Sequence, residues 1–269
     1  MTLYRGMDVG TAKPSPDERA GIPHHLVDVA DPEEPFSVVR FQTMARQALA
    51  GIAGRRRPAL LVGGSGLYFR AVVDDLEFPG TAPALRRNLE AEAAALGPAA
   101  LYRRLAEFDQ AAAAKIDPSN ARRTVRALEV AALTGRPFSS FAAAWDRYPR
   151  DRVRAAGVTL SPEILRARIE DRVRRQYERG LVDEVRRLLE RGFGRFLTAS
   201  QAIGYLEVAE HLEGRLSLDE AAERTARRTR ALARRQLAWF RRDPRIRWFG
   251  AGPDGAGGLV DALMEYYRA

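Results

Sequence analysis

The sequence contains no cysteine and only three histidines among its 269 residues. The chain therefore forms no disulfide and no thiolate zinc site, and three histidines do not favour a His-rich metal centre. Any metal is expected to be a hard cation held by carboxylates and substrate phosphates. Apolar runs of about 18 residues and a signal-peptide pattern are also lacking. The sequence thus predicts a cytoplasmic protein without a membrane partner, which we expect to be a monomer.

Lysine is nearly absent, yet the chain has a large excess of positive charge. The net charge is +9 with a pI near 10.4, and of the 44 basic residues only Lys13 and Lys115 are lysines. Arginine binds phosphate in a bidentate way, so this composition suits a polyanionic partner. A GC-rich genome would explain the preference for arginine over lysine, but it would not explain the excess of positive charge. The composition therefore favours a nucleic-acid partner.

Strand and helix signals alternate at the start of the chain. Residues 25–29 and 60–62 have the apolar character of short strands, and Ser37 is placed to cap a helix between them. This order predicts an α/β class with a parallel sheet. The α/β core is assigned to residues 1–78 and 151–269.

Residues 79–150 have a different pattern, rich in Ala, Arg, Glu and Leu at helical spacing. Helices are predicted at 83–96, 98–107, 109–115 and 121–134, and strand character returns at 153–160. We interpret 79–150 as a helical insertion within the α/β domain. A separate C-terminal helical domain is the alternative, and it would leave the strand at 153–160 unexplained.

Glycine is concentrated where the apolar run at 60–62 ends, in the segment Gly63, Gly64, Ser65 and Gly66. A strand that enters a helix through glycines can hold an anion on free backbone N–H groups. An ordinary strand–turn–helix corner is an equal alternative, because the spacing fits neither the Walker nor the dinucleotide motif. Residues 1–14 leave the same two possibilities open, a phosphate-facing loop or a plain arm.

Two arginine features lie in the C-terminal half. Arg172 follows Ile169 by three residues on a predicted helix, so it is expected on the apolar face with an anionic partner. That partner is either a structural carboxylate or a substrate phosphate. Ser217 and Glu220 predict a capping box for a long helix with many arginines between residues 224 and 242. Such a ridge suits a sugar–phosphate backbone, and a solvated amphipathic helix is the alternative.

Five stretches together resemble the tRNA dimethylallyltransferase (isopentenyl-diphosphate:tRNA transferase) family. They are LYRGMDVGTAKP at 3–14, GGSGLY at 63–68, RRTVRALEV at 122–130, QAIGY at 201–205 and TRALARRQLAWFR at 229–241. The resemblance implies a P-loop-NTPase-like parallel-sheet core with an all-helical insertion. It also implies transfer of a dimethylallyl group from dimethylallyl diphosphate to N6 of the adenine on the 3′ side of the anticodon, flipped out of its stack. The product is N6-isopentenyladenosine, and Mg²⁺ leaves with the diphosphate.

The resemblance also implies roles for individual residues. Ser65, where the family usually has Thr, and Arg172, aimed at the diphosphate, are the catalytic candidates, and no metal ligand is expected in this chain. The residues expected to contact tRNA are Met1, Thr2, Ser65, Arg86, Arg122, Arg123, Thr124, Val125, Arg126, Gln201, Ala202, Ile203, Gly204, Tyr205 and Leu206.

Family members begin with a strand and a G-P-T-x-S-G-K-[ST] phosphate loop, followed by an Asp-Ser pair. Neither Lys13 nor Lys115 lies in such a context. The resemblance thus implies that the first strand, the P-loop and the general-base Asp are absent from this chain. We therefore expect the 269-residue chain alone to be poorly soluble or partly unfolded, with no detectable transfer of a dimethylallyl group to tRNA. A truncated, non-catalytic tRNA-binding remnant is the alternative to the transferase, and a P-loop nucleotide kinase is a distant third.

Overall fold

The computed structural model describes residues 1–74, 76–141, 143–149, 152–196, 198–252 and 255–268. The regular elements are, in chain order, α1 (Val38–Gly54), α2 (Gly66–Val73), α3 (Pro83–Leu96), α4 (Pro98–Phe108), α5 (Gln110–Ala113), α6 (Ala121–Thr134), β1 (Ala155–Thr159), α7 (Pro162–Glu178), α8 (Leu181–Glu190), α9 (Tyr205–Leu212), α10 (Leu218–Phe240), β2 (Ile246–Gly250) and α11 (Val260–Arg268). Short 3-10 turns occur at Phe138–Phe141, Ala143–Asp146, Phe193–Arg195, Ala199–Gln201 and Ala256–Leu259. Within these residues, none of the helices is both long and apolar enough to cross a bilayer.

Residue contacts divide the chain into two compact units. The first, called the core unit below, comprises Met1–Val73 with Arg150–Ala269. The second, called the helical unit, comprises Asp74–Pro149.

The main apolar cluster of the core unit joins the start of the chain to α8 and α9. Tyr4 and Met7 are fully buried and lie in one cluster with Leu181, Val185 and Tyr205. A second, smaller cluster packs α7 against α10. The N-terminal segment is therefore part of the core rather than a free arm.

The sheet of the described chain consists of two parallel strands. β1 pairs with β2 from Ala155↔Ile246 to Thr159↔Gly250, and α7 to α10 form the connection between them. The strand β1 confirms the strand character predicted at 153–160. The predicted mixed class of helices with a parallel sheet is confirmed.

The strands predicted at 25–29 and 60–62 are wrong. Leu26 and Asp28 have φ values of +60° and +56°, in the left-handed region, which a strand excludes. Only an isolated parallel bridge, Tyr4↔Ala30, forms there. Leu60 and Val62 are 71% and 81% exposed, and in the described structure no strand lies beside them to complete a ladder.

The helical unit follows the predicted pattern closely. Helices were expected at 83–96 and 121–134, and α3 and α6 have these bounds. Pro83 and Pro98 stand at the first turns of α3 and α4, where a missing N–H costs nothing. Asn120 caps α6 by accepting a hydrogen bond from the N–H of Arg123 at 3.1 Å. The core of this unit includes Leu89, Leu101, Leu105 and Val125.

Candidate functional site

The GGSG segment packs against the C-terminal half of α10. A Cβ atom on Gly64 would lie 2.3 Å from Nε2 of Gln236, and one on Gly66 would lie 2.1 Å from Cε3 of Trp239. Carbon atoms in van der Waals contact lie about 3.5–4.0 Å apart, so neither position accepts a side chain without a shift. Both glycines are therefore explained by close packing on a helix, without any appeal to a phosphate.

Ser65, between these glycines, is exposed. Its carbonyl accepts a hydrogen bond from the N–H of Phe69 at 2.8 Å, which forms the first turn of α2. Its hydroxyl has no hydrogen-bond partner within the described part of the chain. A Cβ atom on Gly63 would meet nothing within 4 Å. The segment thus presents a hydroxyl and open backbone to solvent, as a ligand-binding loop does.

Aromatic and ionic contacts fix α2 beside this segment. The rings of Phe69 and Phe240 meet edge to face, with centroids 5.8 Å apart. The guanidinium of Arg245 lies 5.9 Å from the centre of the Phe69 ring. Arg245 is itself held by Asp243, with Nη2 2.7 Å from Oδ2, and both side chains are 1% exposed. The position of α2 therefore depends on residues at and beyond the end of α10.

The backbone N–H groups near the start of the chain bind a carboxylate of the protein itself. Asp8 and Val9 donate to Oε2 of Glu184 at 3.0 and 2.9 Å, and Gly10 donates to Oε1 at 3.3 Å. The hydroxyl of Tyr205 donates to the same Oε1 at 2.5 Å. Burial and the nearby Glu184 carboxylate raise the pKa of Tyr205, so it stays a neutral donor. The N–H groups of residues 8–10 are therefore used internally and do not face a phosphate.

Gly10 is required in this arrangement. A Cβ atom there would lie 2.3 Å from Cε2 of Tyr205 and 2.9 Å from Cδ1 of Leu181. The carbonyl of Gly10 also accepts a hydrogen bond from Nε2 of Gln176 at 2.9 Å. The role of Glu184 is not predictable from the sequence, because no local pattern links it to residues 8–10.

Lys13 was also missed. Its side chain is 5% exposed, and Nζ donates to Oδ1 of Asp8 and Oδ1 of Asp28, both at 2.5 Å. The carbonyl of Tyr4 accepts a third hydrogen bond at 2.7 Å. The rarity of lysine in an arginine-rich chain was the sequence feature that could have indicated a special role for Lys13. These contacts close the N-terminal segment into a compact loop.

Met1 and Thr2 lie next to this loop. Burial and the charge of Lys13 lower the pKa of the Met1 amine, although the residue as a whole is 45% exposed. The carbonyl of Thr2 accepts a hydrogen bond from the N–H of Asp28 at 3.3 Å. Contact of Met1 and Thr2 with tRNA stays a prediction.

The predicted tRNA-contact stretch QAIGYL is divided by burial. Gln201 is exposed and Ile203 and Leu206 are partly exposed. Ala202, Gly204 and Tyr205 are buried, and Gly204 has a φ of +91° at the start of α9. The buried members form the core and the α9 terminus, so any contact with a ligand falls to the exposed ones.

Arg172 does not occupy the predicted position. The buried face of α7 consists of Ile169 and Val173, whereas Arg172 is exposed. Three residues along a helix correspond to a rotation of about 300°, which leaves Arg172 at the edge of that face, from where its guanidinium reaches solvent. Among the described residues it has no carboxylate partner. The expected burial is therefore wrong, and a role toward the diphosphate stays a prediction.

In the helical unit, Arg86 and Arg126 converge on one buried carboxylate. Glu129 is fully buried, and its Oε2 lies 2.5 Å from Nη2 of Arg86 and 2.6 Å from Nη1 of Arg126. Burial opposes ionisation, yet the hydrogen bonds from Arg86 and Arg126 keep the pKa of Glu129 below its usual value. Arg126 also donates to the carbonyl of Pro79 at 2.7 Å. Arg86 thus fastens α3 to α6, and Arg126 fastens the segment before α3 to α6.

Arg122 and Arg123, by contrast, are exposed and have no carboxylate partner in the described part of the chain. With Asn120, Arg126 and Phe138 they line an open depression of about 360 Å³. The neighbouring members of the motif face inward: Val125 lies in the core. Thr124 is fully buried too, and its hydroxyl lacks a hydrogen-bond partner among the described residues.

Similarity to known proteins extends over almost the entire chain. Residues 2–243 match the model of the family described as IPP transferase. A tRNA dimethylallyltransferase of Kineococcus radiotolerans is 56% identical over 256 residues, which cover 95% of this chain and 80% of the relative.

Solved structures of enzymes with the same description are also similar to this chain. The full-length tRNA isopentenylpyrophosphate transferase of Bacillus halodurans is 38% identical with a TM-score of 0.66, covering 99% of this chain and 83% of that one. A eukaryotic dimethylallyltransferase, described as acting on tRNA, has a TM-score of 0.79 at 25% identity. The match covers 98% of this chain and 69% of that one. The chain belongs to the IPP transferase family.

Proposed function

We propose that this protein is a tRNA dimethylallyltransferase. It transfers the dimethylallyl group of dimethylallyl diphosphate to N6 of the adenine that follows the anticodon in tRNA, giving N6-isopentenyladenosine. The observation that carries this proposal is the 56% identity, over 95% of the chain, to a relative named for the same activity. It favours the transferase over a non-catalytic tRNA-binding remnant.

The chemistry needs cations where the diphosphate leaves. The N6 lone pair forms the new bond to the allylic carbon, the C–O bond breaks, and its electron pair leaves with the diphosphate while N6 loses a proton. Negative charge grows on the diphosphate, so donors placed there stabilise the transition state. Arg172 supports this role because its guanidinium is exposed and has no carboxylate partner within the described residues. The free hydroxyl of Ser65 is a further donor for the diphosphate or the target nucleotide.

Contact with tRNA is assigned first to Arg122 and Arg123, which line the depression of the helical unit without a carboxylate partner among the described residues. Arg86 and Arg126 act mainly through Glu129, which joins α6 to α3 and to the segment before α3. Gln201, Ile203 and Leu206 supply the exposed positions of the second stretch.

Mg²⁺ is proposed to arrive with the substrate. In the part of the chain that the structure describes, no three His, Asp or Glu side chains are grouped to hold a metal ion. The described residues therefore do not fit a protein-held metal, whereas diphosphate oxygens are ligands that Mg²⁺ prefers. Because its substrate is tRNA, the protein is proposed to work in the cytoplasm. A monomeric state is proposed as well.

The test is to incubate the protein with labelled dimethylallyl diphosphate, Mg²⁺ and an anticodon stem-loop, and to analyse the digested RNA by mass spectrometry. N6-isopentenyladenosine should appear with an equal amount of diphosphate. A stem-loop with guanosine at the target position serves as the control and should give no product. RNA binding without product would support the remnant instead, and neither binding nor product would refute both.

A further inference from the structure

Ser65 depends on its backbone for the position of its hydroxyl. That hydroxyl is exposed and has no hydrogen-bond partner among the described residues. The backbone around it is fixed through Phe69, whose N–H donates to the carbonyl of Ser65 at 2.8 Å. Residues that hold Phe69 in place therefore hold Ser65 as well.

The ring of Phe69 is held from the end of α10 and from the turn that follows it. Phe240, the last residue of α10, meets the ring edge to face. The guanidinium of Arg245 lies over the ring, 5.9 Å from its centre, where a cation is attracted by the aromatic quadrupole. Arg245 thus restrains Phe69 and, through it, the first turn of α2.

The guanidinium of Arg245 is itself oriented by Asp243. Nε lies 2.9 Å from Oδ1 of Asp243 and Nη2 lies 2.7 Å from Oδ2, so the two planar groups meet at two points. The backbone N–H of Arg245 also donates to Oδ1 at 3.0 Å. The N–H of Asp243 donates to the carbonyl of Phe240 at 3.1 Å, and β2 begins at Ile246. The pair therefore lies in a turn that α10 and β2 fix at its two ends.

Stability alone does not account for this pair. Both side chains are 1% exposed. The cost of removing two charges from water offsets much of their attraction, and apolar residues of similar volume often stabilise a protein as well or better. A two-point contact between arginine and a carboxylate supplies direction instead, because its parallel hydrogen bonds fix the plane of the guanidinium. The pair is thus suited to holding a neighbour in one position.

Given the proposed function, on which this inference rests, we propose that Asp243 and Arg245 are positioning residues for the transfer reaction. They hold Phe69 so that the hydroxyl of Ser65 points to the departing diphosphate. A donor at that place stabilises the growing negative charge only if it is already in position, and small misplacements are costly.

The first test is a double-mutant cycle on the full chain, with transfer measured at saturating tRNA and dimethylallyl diphosphate. Arg245→Lys retains the charge but loses the two-point contact, and it should lower kcat roughly 10-fold with an unchanged KM for tRNA. In a chain that already carries Ser65→Ala, the same change should alter kcat less than about 2-fold, because the group that it positions is gone. Asp243→Asn should behave in the same way as Arg245→Lys.

Arg247→Lys is the matched control. Arg247 lies on β2, is exposed, and approaches the rings of Phe249 and Tyr266 instead of Phe69. The variant makes the same exchange two positions along the chain. It should leave kcat unchanged with and without Ser65→Ala.

Hydrogen exchange of the Phe69 N–H, followed by NMR, is a second test that needs no activity. Arg245→Lys should speed this exchange, because the hydrogen bond to the carbonyl of Ser65 opens more often. The amides of α8 should exchange at wild-type rates, and the variant should melt cooperatively. Arg247→Lys should change none of these properties.

An equal loss of kcat with and without the Ser65 hydroxyl would overturn the inference, as would an unchanged exchange of the Phe69 N–H. Loss of cooperative melting in both Arg245→Lys and Asp243→Asn would also overturn it, since the pair would then serve the fold alone. A wild type that transfers nothing would refute the proposed function. Faster exchange at Phe69 would in that case still support the hold of the pair on the GGSG segment.

Discussion

A single methyl group at Gly66 tests whether packing on α10 sets the position of Ser65. Gly66→Ala would place Cβ 2.1 Å from Cε3 and 2.2 Å from Cδ2 of Trp239, so the two groups must separate by about 1.5 Å to reach van der Waals contact. The indole packs against Phe240, with centroids 5.3 Å apart, which limits its movement. The clash is therefore with a ring that has neighbours behind it.

Whether Gly66→Ala raises or lowers the free energy of unfolding shows which of two factors prevails, helix propensity or overpacking. Gly66 begins α2 and does not have a positive φ, so helix propensity alone predicts that alanine stabilises the protein by up to about 1 kcal/mol. Overpacking predicts a loss of about 1–3 kcal/mol. We expect overpacking to prevail in urea unfolding followed by circular dichroism. A shift of the segment by about 1 Å should also lower the transfer rate roughly 100-fold.

Gly64→Ala is the matched control, because its Cβ meets the end of the flexible Gln236 side chain, which can move aside. It should change the free energy of unfolding far less. Trp239→Leu, combined with Gly66→Ala, should recover part of the stability and of the transfer rate, giving a coupling of about 1 kcal/mol or more. A stabilised Gly66→Ala protein with normal transfer, or a double variant with no recovery, would refute the reasoning.

Three further outcomes are expected. Arg172→Ala should strongly lower the transfer rate at saturating tRNA and leave the tRNA affinity normal. Arg174→Ala removes only exposed ion pairs and should leave the transfer rate unchanged. Equal effects of the two variants on the transfer rate would exclude the diphosphate role of Arg172. Glu184→Gln sets an amide donor against the partly buried N–H groups of residues 8–10 and should cost about 2 kcal/mol in urea unfolding. The folded-state pKa of Glu129 lies below its unfolded value near 4.5, because burial raises it but the hydrogen bonds from Arg86, Arg126 and the N–H of Ala82 together outweigh burial. Its contribution to stability is therefore present above that pH and lost below it, and Glu129→Gln should flatten the acid limb of stability against pH.

The helical unit was predictable because its signals are local. Prolines at first turns, a capping Asn and apolar spacing are each contained within one helix, and α3 and α6 have the predicted bounds. The capping box at Ser217 and Glu220 forms for the same reason. Such features need no knowledge of the surroundings.

The wrong predictions concern properties that neighbours decide. The apolar run at 60–62 has the composition of a buried strand, yet a strand exists only through hydrogen bonds to another strand. Spacing placed Arg172 near an apolar face, but the packing of α10 on α7 left its guanidinium in solvent. The contact of Glu184 with Asp8 has no sequence pattern at all, because the residues are 176 positions apart.

That distance along the chain has a consequence for biogenesis. At ribosomal rates of about 5–20 residues per second, Glu184 is added roughly 9–35 s after Asp8. Until then, the N–H groups of residues 8–10 have only water to bind, and Tyr4 and Met7 lack the α8 and α9 surfaces that bury them. Contacts of such long range also form late in folding. The N-terminal segment, although synthesised early, is therefore expected to be among the last parts of the core unit to become ordered.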